Sequence, residues 1–164
     1  MHLADITRLR TVPAAAVYLA LTRRCPLSCA HCSTESSMRS EQYPADPFHR
    51  LVDSFGAADR PEMICMSGGE ALLRADLVRR LSARAHEVGT GVLLLSGMYF
   101  ARGGRAIPAA VRDAVRGVDH FSASLDAYHE REVDRREVFR ALRRIPEWGP
   151  QVSLHITGLD DDDP

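Results

Sequence analysis

Lysine is absent from this sequence, and all 21 basic residues are arginines. A Schiff base to a carbonyl substrate or to pyridoxal phosphate needs an amine that can lose its proton, which arginine cannot do near neutral pH. The phosphate loop of nucleotide hydrolases also relies on a lysine. Both enzyme classes are excluded. No stretch approaches the ~20 consecutive apolar residues that a membrane-spanning helix needs. The start, Met1-His2-Leu3-Ala4-Asp5, lacks the basic region and apolar run of an export signal. These absences point to a cytoplasmic protein that does not cross a membrane. Formal net charge is −1 and the arginines are scattered among 22 acidic residues, so no positive field favours nucleic acid.

The 164 residues are 45% apolar and 26% charged, the composition of one globular domain. Short apolar runs at 15–21, 62–66, 91–95, 120–125 and 151–156 alternate with stretches at 47–57, 73–88, 108–116 and 134–147. In the latter, leucine, valine and phenylalanine recur at helical steps. Val92-Leu93-Leu94-Leu95 is apolar on both faces, as a parallel strand between a helix layer and an inner core must be. The pattern predicts an α/β fold of repeated β-α units, either a barrel-like wall or an open doubly wound sheet. Asp134 and Glu137 form an expected capping pair, Pro108 suits a first helical turn, and Gly149-Pro150 closes the last helix. The sequence stops after strand five, so the chain is expected to continue past Pro164, or a partner to cover that strand's outer face.

Three of the four cysteines fall within eight residues, Cys25-Pro26-Leu27-Ser28-Cys29-Ala30-His31-Cys32, directly after strand one. Without an export signal a disulfide framework is not expected, and clustering points to metal or cluster ligation. Parallel β/α folds collect their active sites in these loops. Electron carriers normally hold an iron-sulfur cluster with four thiolates, and three local ones leave an iron open to an outside ligand. Structural zinc is the rival, with Cys25, Cys29, Cys32 and a histidine such as His31, but no downstream Cys-x-x-Cys or His pair completes it. A lone nucleophile would need one thiol only. Cys65, inside strand two, reads as a small core residue.

Cys-x3-Cys-x2-Cys after strand one, followed by Ser67-Gly68-Gly69-Glu70 after strand two, resembles the radical S-adenosylmethionine superfamily across essentially the whole chain. The resemblance implies that Cys25, Cys29 and Cys32 hold a 4Fe-4S cluster that cleaves S-adenosylmethionine reductively. The resulting 5′-deoxyadenosyl radical abstracts hydrogen from a small molecule or peptide. It places Gly68, Gly69 and Glu70 at the methionine amino group, Ser96 near the cofactor, and Ser124 and Asp126 at the ribose. Ile156 is the counterpart of an adenine contact, and His31 stands where the family often has a bulkier aromatic residue. Tyr128, His129 and Glu130 lie on the same rim, either at substrate or in a solvated turn. An electron donor such as flavodoxin or ferredoxin is implied. The family fold normally has six β-α units. The expectation is therefore a partial TIM-type barrel of about five parallel strands with the last unit missing, over residues 1–159, and an acidic end at 160–164. A degenerate module that binds a cluster without turnover is the alternative, and an auxiliary cluster has no cysteines here to hold it.

Overall fold

The computed structural model describes residues 1–9, 11–12 and 15–158. Its five strands are β1 (Ala16–Ala20), β2 (Met63–Ser67), β3 (Gly91–Ser96), β4 (His120–Ser124) and β5 (Gln151–His155). They pair in parallel in sequence order, and the sheet does not close on itself. The helices are α1 (Leu3–Leu9), α2 (Asp46–Asp53), α3 (Ala75–Glu87), α4 (Ala109–Arg116), α5 (Ala127–Glu130) and α6 (Arg135–Leu142). This is the expected open α/β sheet, a partial TIM-type barrel. The acidic end at 160–164 lies outside the described residues.

Strand alternation divides the side chains between two faces. Ile64, Met66, Val92, Leu94, Phe121 and Ala123 are fully buried in the core shared with the helices, where α3 packs between α2 and α4. The opposite, inner face carries Tyr18, Cys65, Leu93 and His120 at one level of the register. Cys65 therefore belongs to the inner face, only partly buried, and not to the helix-facing core. Buried His120 meets the Met1 carbonyl at 3.2 Å and the Ser153 hydroxyl at 2.8 Å. The N-terminal residue thus lies against the lower end of the inner face, its carbonyl on His120 and its side chain beside Gly91.

The helices are shorter than the periodicity suggests, because tight 3₁₀ turns at Ala71–Arg74 and Pro146–Trp148 take up part of each apolar run. The capping pair also differs. The Asp134 carboxylate accepts from Arg136 N–H, but Glu137 reaches away to accept from Gly103 N–H at 2.9 Å. A long-range bond has captured the residue that would complete the box. On β5, Val152 and Leu154 are exposed along the outer face, where the preceding strands carry helices, and Ile156 just past its end is exposed too.

Candidate functional site

The chain leaving β1 and the chain leaving β2 run side by side. Leu21 N–H donates to Ser67 O at 2.9 Å, Gly69 N–H to Thr22 O at 2.7 Å, and Glu70 N–H to Arg24 O at 2.8 Å. Two glycines make this approach possible. Gly68 has φ +147, and a Cβ there would overlap Thr22 O. A Cβ on Gly69 would overlap Arg24 O and lie 2.7 Å from Arg23 O. The Gly-Gly segment is therefore the seat on which the approach to Cys25 rests.

Cys25, Cys29 and Cys32 line one cavity of ≈ 310 Å³ at the C-terminal end of the sheet, together with Gly68, Gly69, Ser96, Gly97 and Ser124. All three thiols are unpaired. Burial pushes Cys25 up to about 11 and Cys29 up to about 12, and the charges of Glu70 on the first and of Cys25 on the second add to the rise. Cys32 behaves otherwise. Burial pulls it upward too, but hydrogen bonds from Thr34 and Ser36 outweigh it and hold the thiol below its ordinary value. Glu35 adopts φ 46, which turns the chain back so that Ser36 N–H points at Cys32 Sγ from 3.4 Å, with Thr34 Oγ1 at 3.5 Å. Hydrogen bonding thus sets Cys32 apart from the two thiols that burial raises.

Glu70 is 1% exposed and does not line the cavity. Its Oε1 accepts from Leu72 N–H at 3.0 Å, and its Oε2 from the Ser96 hydroxyl at 2.9 Å and Gly97 N–H at 3.0 Å. The carboxylate ties the ends of β2 and β3 together behind the cavity wall. Burial raises it to about 7 against the opposing hydrogen bonds. The folded state then binds this proton more tightly than the unfolded chain, so stability contributed by protonated Glu70 is lost as pH rises from 4.5 through about 7. Glu70→Gln removes that dependence and sets an amide NH2 against Gly97 N–H. Denaturant unfolding of the metal-free protein is expected to show the variant destabilised by about 1–3 kcal/mol near pH 5. The gap should narrow toward about pH 8 as the native protein loses stability; two parallel pH curves would contradict this account of Glu70.

Past β4, Ser124 lines the cavity and Asp126 does not. The Asp126 carboxylate caps α5, its Oδ1 accepting from Tyr128 N–H at 3.0 Å and His129 N–H at 2.9 Å. Oδ2 faces His129 Nδ1 at 2.9 Å, Thr157 N–H at 3.4 Å and His31 Nε2 at 3.5 Å. Burial favours the neutral acid, but the hydrogen bonds and charge of His129 prevail and hold Asp126 below the usual range. His31 stacks on Tyr128 at 4.5 Å and meets His129 edge-on at 4.9 Å, and its Nδ1 is buried without a partner. His31 lines the cavity with its ring held toward the β4 side. Ile156 is 65% exposed and off the cavity, while its neighbours His155 and Thr157 line it, since consecutive residues of an extended chain point opposite ways. Tyr18, His129, His155 and Thr157 are cavity residues that the motifs did not single out as cofactor contacts. The spacing of Asp126 and His129 on a helix start was the one readable signal.

The donor set suits an iron-sulfur cluster. Three soft thiol ligands share a cavity, its wall is thinned to glycine at 68, 69 and 97, and a buried imidazole nitrogen awaits a partner. Fold and cavity thus define an open parallel β/α protein that gathers three unpaired thiols at the carboxyl ends of its strands.

The chain belongs to the Radical SAM superfamily, whose family model matches residues 19–163. It is 35% identical over 120 residues to a PqqA peptide cyclase of Ruegeria pomeroyi, covering 70% of this chain and 30% of that protein. A PqqA peptide cyclase of Bradyrhizobium diazoefficiens is 28% identical over 148 residues, covering 87% of this chain and 37% of the relative. A pre-heme d1 synthase of Dinoroseobacter shibae is 30% identical over 156 residues, covering 90% and 37%. The chain therefore spans about a third of the length of these relatives.

Proposed function

We propose that this chain is the cofactor-binding core of a radical S-adenosylmethionine enzyme, with Cys25, Cys29 and Cys32 as the ligands of a 4Fe-4S cluster. The observation that carries the reading is the convergence of three unpaired thiols with a glycine-thinned wall in one cavity at the strand ends. Bound there, the cluster supplies the electron that breaks the bond between sulfur and the 5′-carbon of S-adenosylmethionine, and the cofactor carries the hard chemistry. The protein's residues hold and enclose. Thr34 and Ser36 donate to the Cys32 sulfur, which lowers its charge density and steadies it as a ligand. Gly68 and Gly69 leave the wall open for the amino acid end of the cofactor, and Glu70 fixes that wall from behind through Ser96 and Gly97. Ser124 offers a hydroxyl at the end of β4.

The substrate is a molecule with an abstractable hydrogen that enters beside Tyr18 and His155, at the unclosed margin between β1 and β5. Two relatives are named for a peptide and one for a heme precursor, so a peptide is the first class to test. A low-potential carrier such as flavodoxin or ferredoxin delivers the electron. Anaerobic reconstitution with iron and sulfide tests the ligand reading. The expected product holds about four iron and four sulfide per chain, and a protein that takes up zinc while rejecting iron and sulfide would defeat it.

A further inference from the structure

His129 stands out among the cavity residues because its ring is fixed by a partner that never reaches the cavity. Asp126 is fully enclosed, with a side-chain exposure of 2%. Its Oδ2 lies 2.9 Å from His129 Nδ1, and its Oδ1 holds the backbone of the same turn at Tyr128 and His129. His31 packs edge-on against the ring at 4.9 Å, a second contact on the same imidazole. With Nδ1 turned to Asp126, the opposite Cδ2–Nε2 edge faces Gly97, where Cδ2 lies 3.8 Å from the position of an added Cβ. Among the described residues Nε2 has no hydrogen-bond partner, and His129 lines the cavity.

A carboxylate at Nδ1 keeps the proton of the neutral ring on that atom and leaves Nε2 as an acceptor. We propose that Asp126 is a positioning residue that acts through His129. His129 Nε2, and not the Asp126 carboxylate, accepts a hydrogen bond from a hydroxyl of the bound cofactor's ribose. This rests on the cofactor reading above and reassigns the contact at the end of β4. The enclosure of Asp126 carries the reassignment, since its side chain is 2% exposed and does not line the cavity that His129 and Ser124 line. Ser124, at the end of the same strand, shares the cavity with His129 and offers a second polar group to the same sugar.

Asp126→Asn separates the two roles. The Asn carbonyl oxygen keeps the α5 cap to Tyr128 and His129, so the turn survives, while its NH2 donates to His129 Nδ1 and drives the ring proton to Nε2. The cavity would then meet a donor in place of an acceptor. Ring-nitrogen NMR of the metal-free protein at about pH 8, where imidazole is ordinarily neutral, should show His129 protonated on Nδ1 in the native chain and on Nε2 in Asp126→Asn. This readout is independent of any cofactor.

In reconstituted protein, Asp126→Asn and His129→Phe should each weaken S-adenosylmethionine binding by about tenfold. The double variant should be no weaker than either single one. If Asp126→Asn costs the same affinity in the His129→Phe background, the carboxylate contacts the cofactor directly and the proposal falls. It falls also if native His129 carries its proton on Nε2. The donor atoms of His31, Asp126 and His129 all lie within 4.8 Å of one another. One equivalent of zinc retained after Cys25, Cys29 and Cys32 are all changed to alanine would make them a metal site and overturn the proposal as well. Absence of S-adenosylmethionine binding in the native reconstituted protein would sink the cofactor reading, while the NMR result would still decide whether Asp126 aims the ring.

Discussion

Gly69→Ala is expected to destabilise the protein on the order of 3–5 kcal/mol and to prevent cluster assembly. The new Cβ would overlap Arg24 O and lie 2.7 Å from Arg23 O. Both neighbours are backbone, so relief requires the two loops to part. Parting them breaks the bonds from Gly69 N–H to Thr22 O and from Glu70 N–H to Arg24 O, at 2.7 and 2.8 Å. Cys25 is the next residue, so the displacement passes directly to the first thiol of the proposed ligand set. Gly117→Ala is the matched control, since its Cβ would make ordinary contacts at 3.4 Å and beyond and its φ is −84. That change should alter stability by less than about 1 kcal/mol. Denaturant unfolding of the metal-free variants, with iron content after reconstitution, separates the outcomes. A Gly69→Ala protein that unfolds with native stability and loads iron would show that the two loops are not locked together as described.

Cys29→Ala should take iron content after reconstitution from about four per chain to near zero, because two remaining local thiolates do not hold the cluster. Cys29 is partly buried at the edge of the core and forms no disulfide, so the metal-free fold should lose only about 1 kcal/mol. Cys65→Ala provides the comparison. That thiol sits on the inner face beside Tyr18 and Leu93 in register and does not line the cavity. It should load iron as the native chain does. Absorption spectra with iron and sulfide assays read both variants. Equal iron in native and Cys29→Ala protein would contradict the ligand assignment, and loss of iron in Cys65→Ala would add a ligand that spacing does not predict.

The sheet was legible because each strand is a run too short for a helix and apolar enough for burial, and all five observed strands fall within two residues of the sequence expectation. Helix ends were less so. Ala71–Arg74 carries the apolar residues of a helix but coils tightly because Glu70 binds Leu72 N–H, a bond that composition does not announce. The cysteine loop could be read as a ligand set, but its asymmetry could not. It arises from the left-handed turn at Glu35, a residue type that gives no warning of positive φ. Asp126 shows the limit most sharply. Alternation along the strand aligned it with Ser124, yet the strand ends at Ser124 and the chain turns into α5, which rotates the carboxylate inward onto His129. Ile156 likewise follows the end of β5, and its position relative to the cavity depends on parity that an apolar residue type does not reveal.

The proposed role of Cys25, Cys29 and Cys32 is to hold a cluster that acts on S-adenosylmethionine. The direct measurement is 5′-deoxyadenosine released when the reconstituted protein is reduced anaerobically with S-adenosylmethionine present. Product is expected from the native and Cys65→Ala proteins and none from Cys29→Ala. A fully loaded and reduced native protein that binds S-adenosylmethionine but releases no 5′-deoxyadenosine would contradict that role.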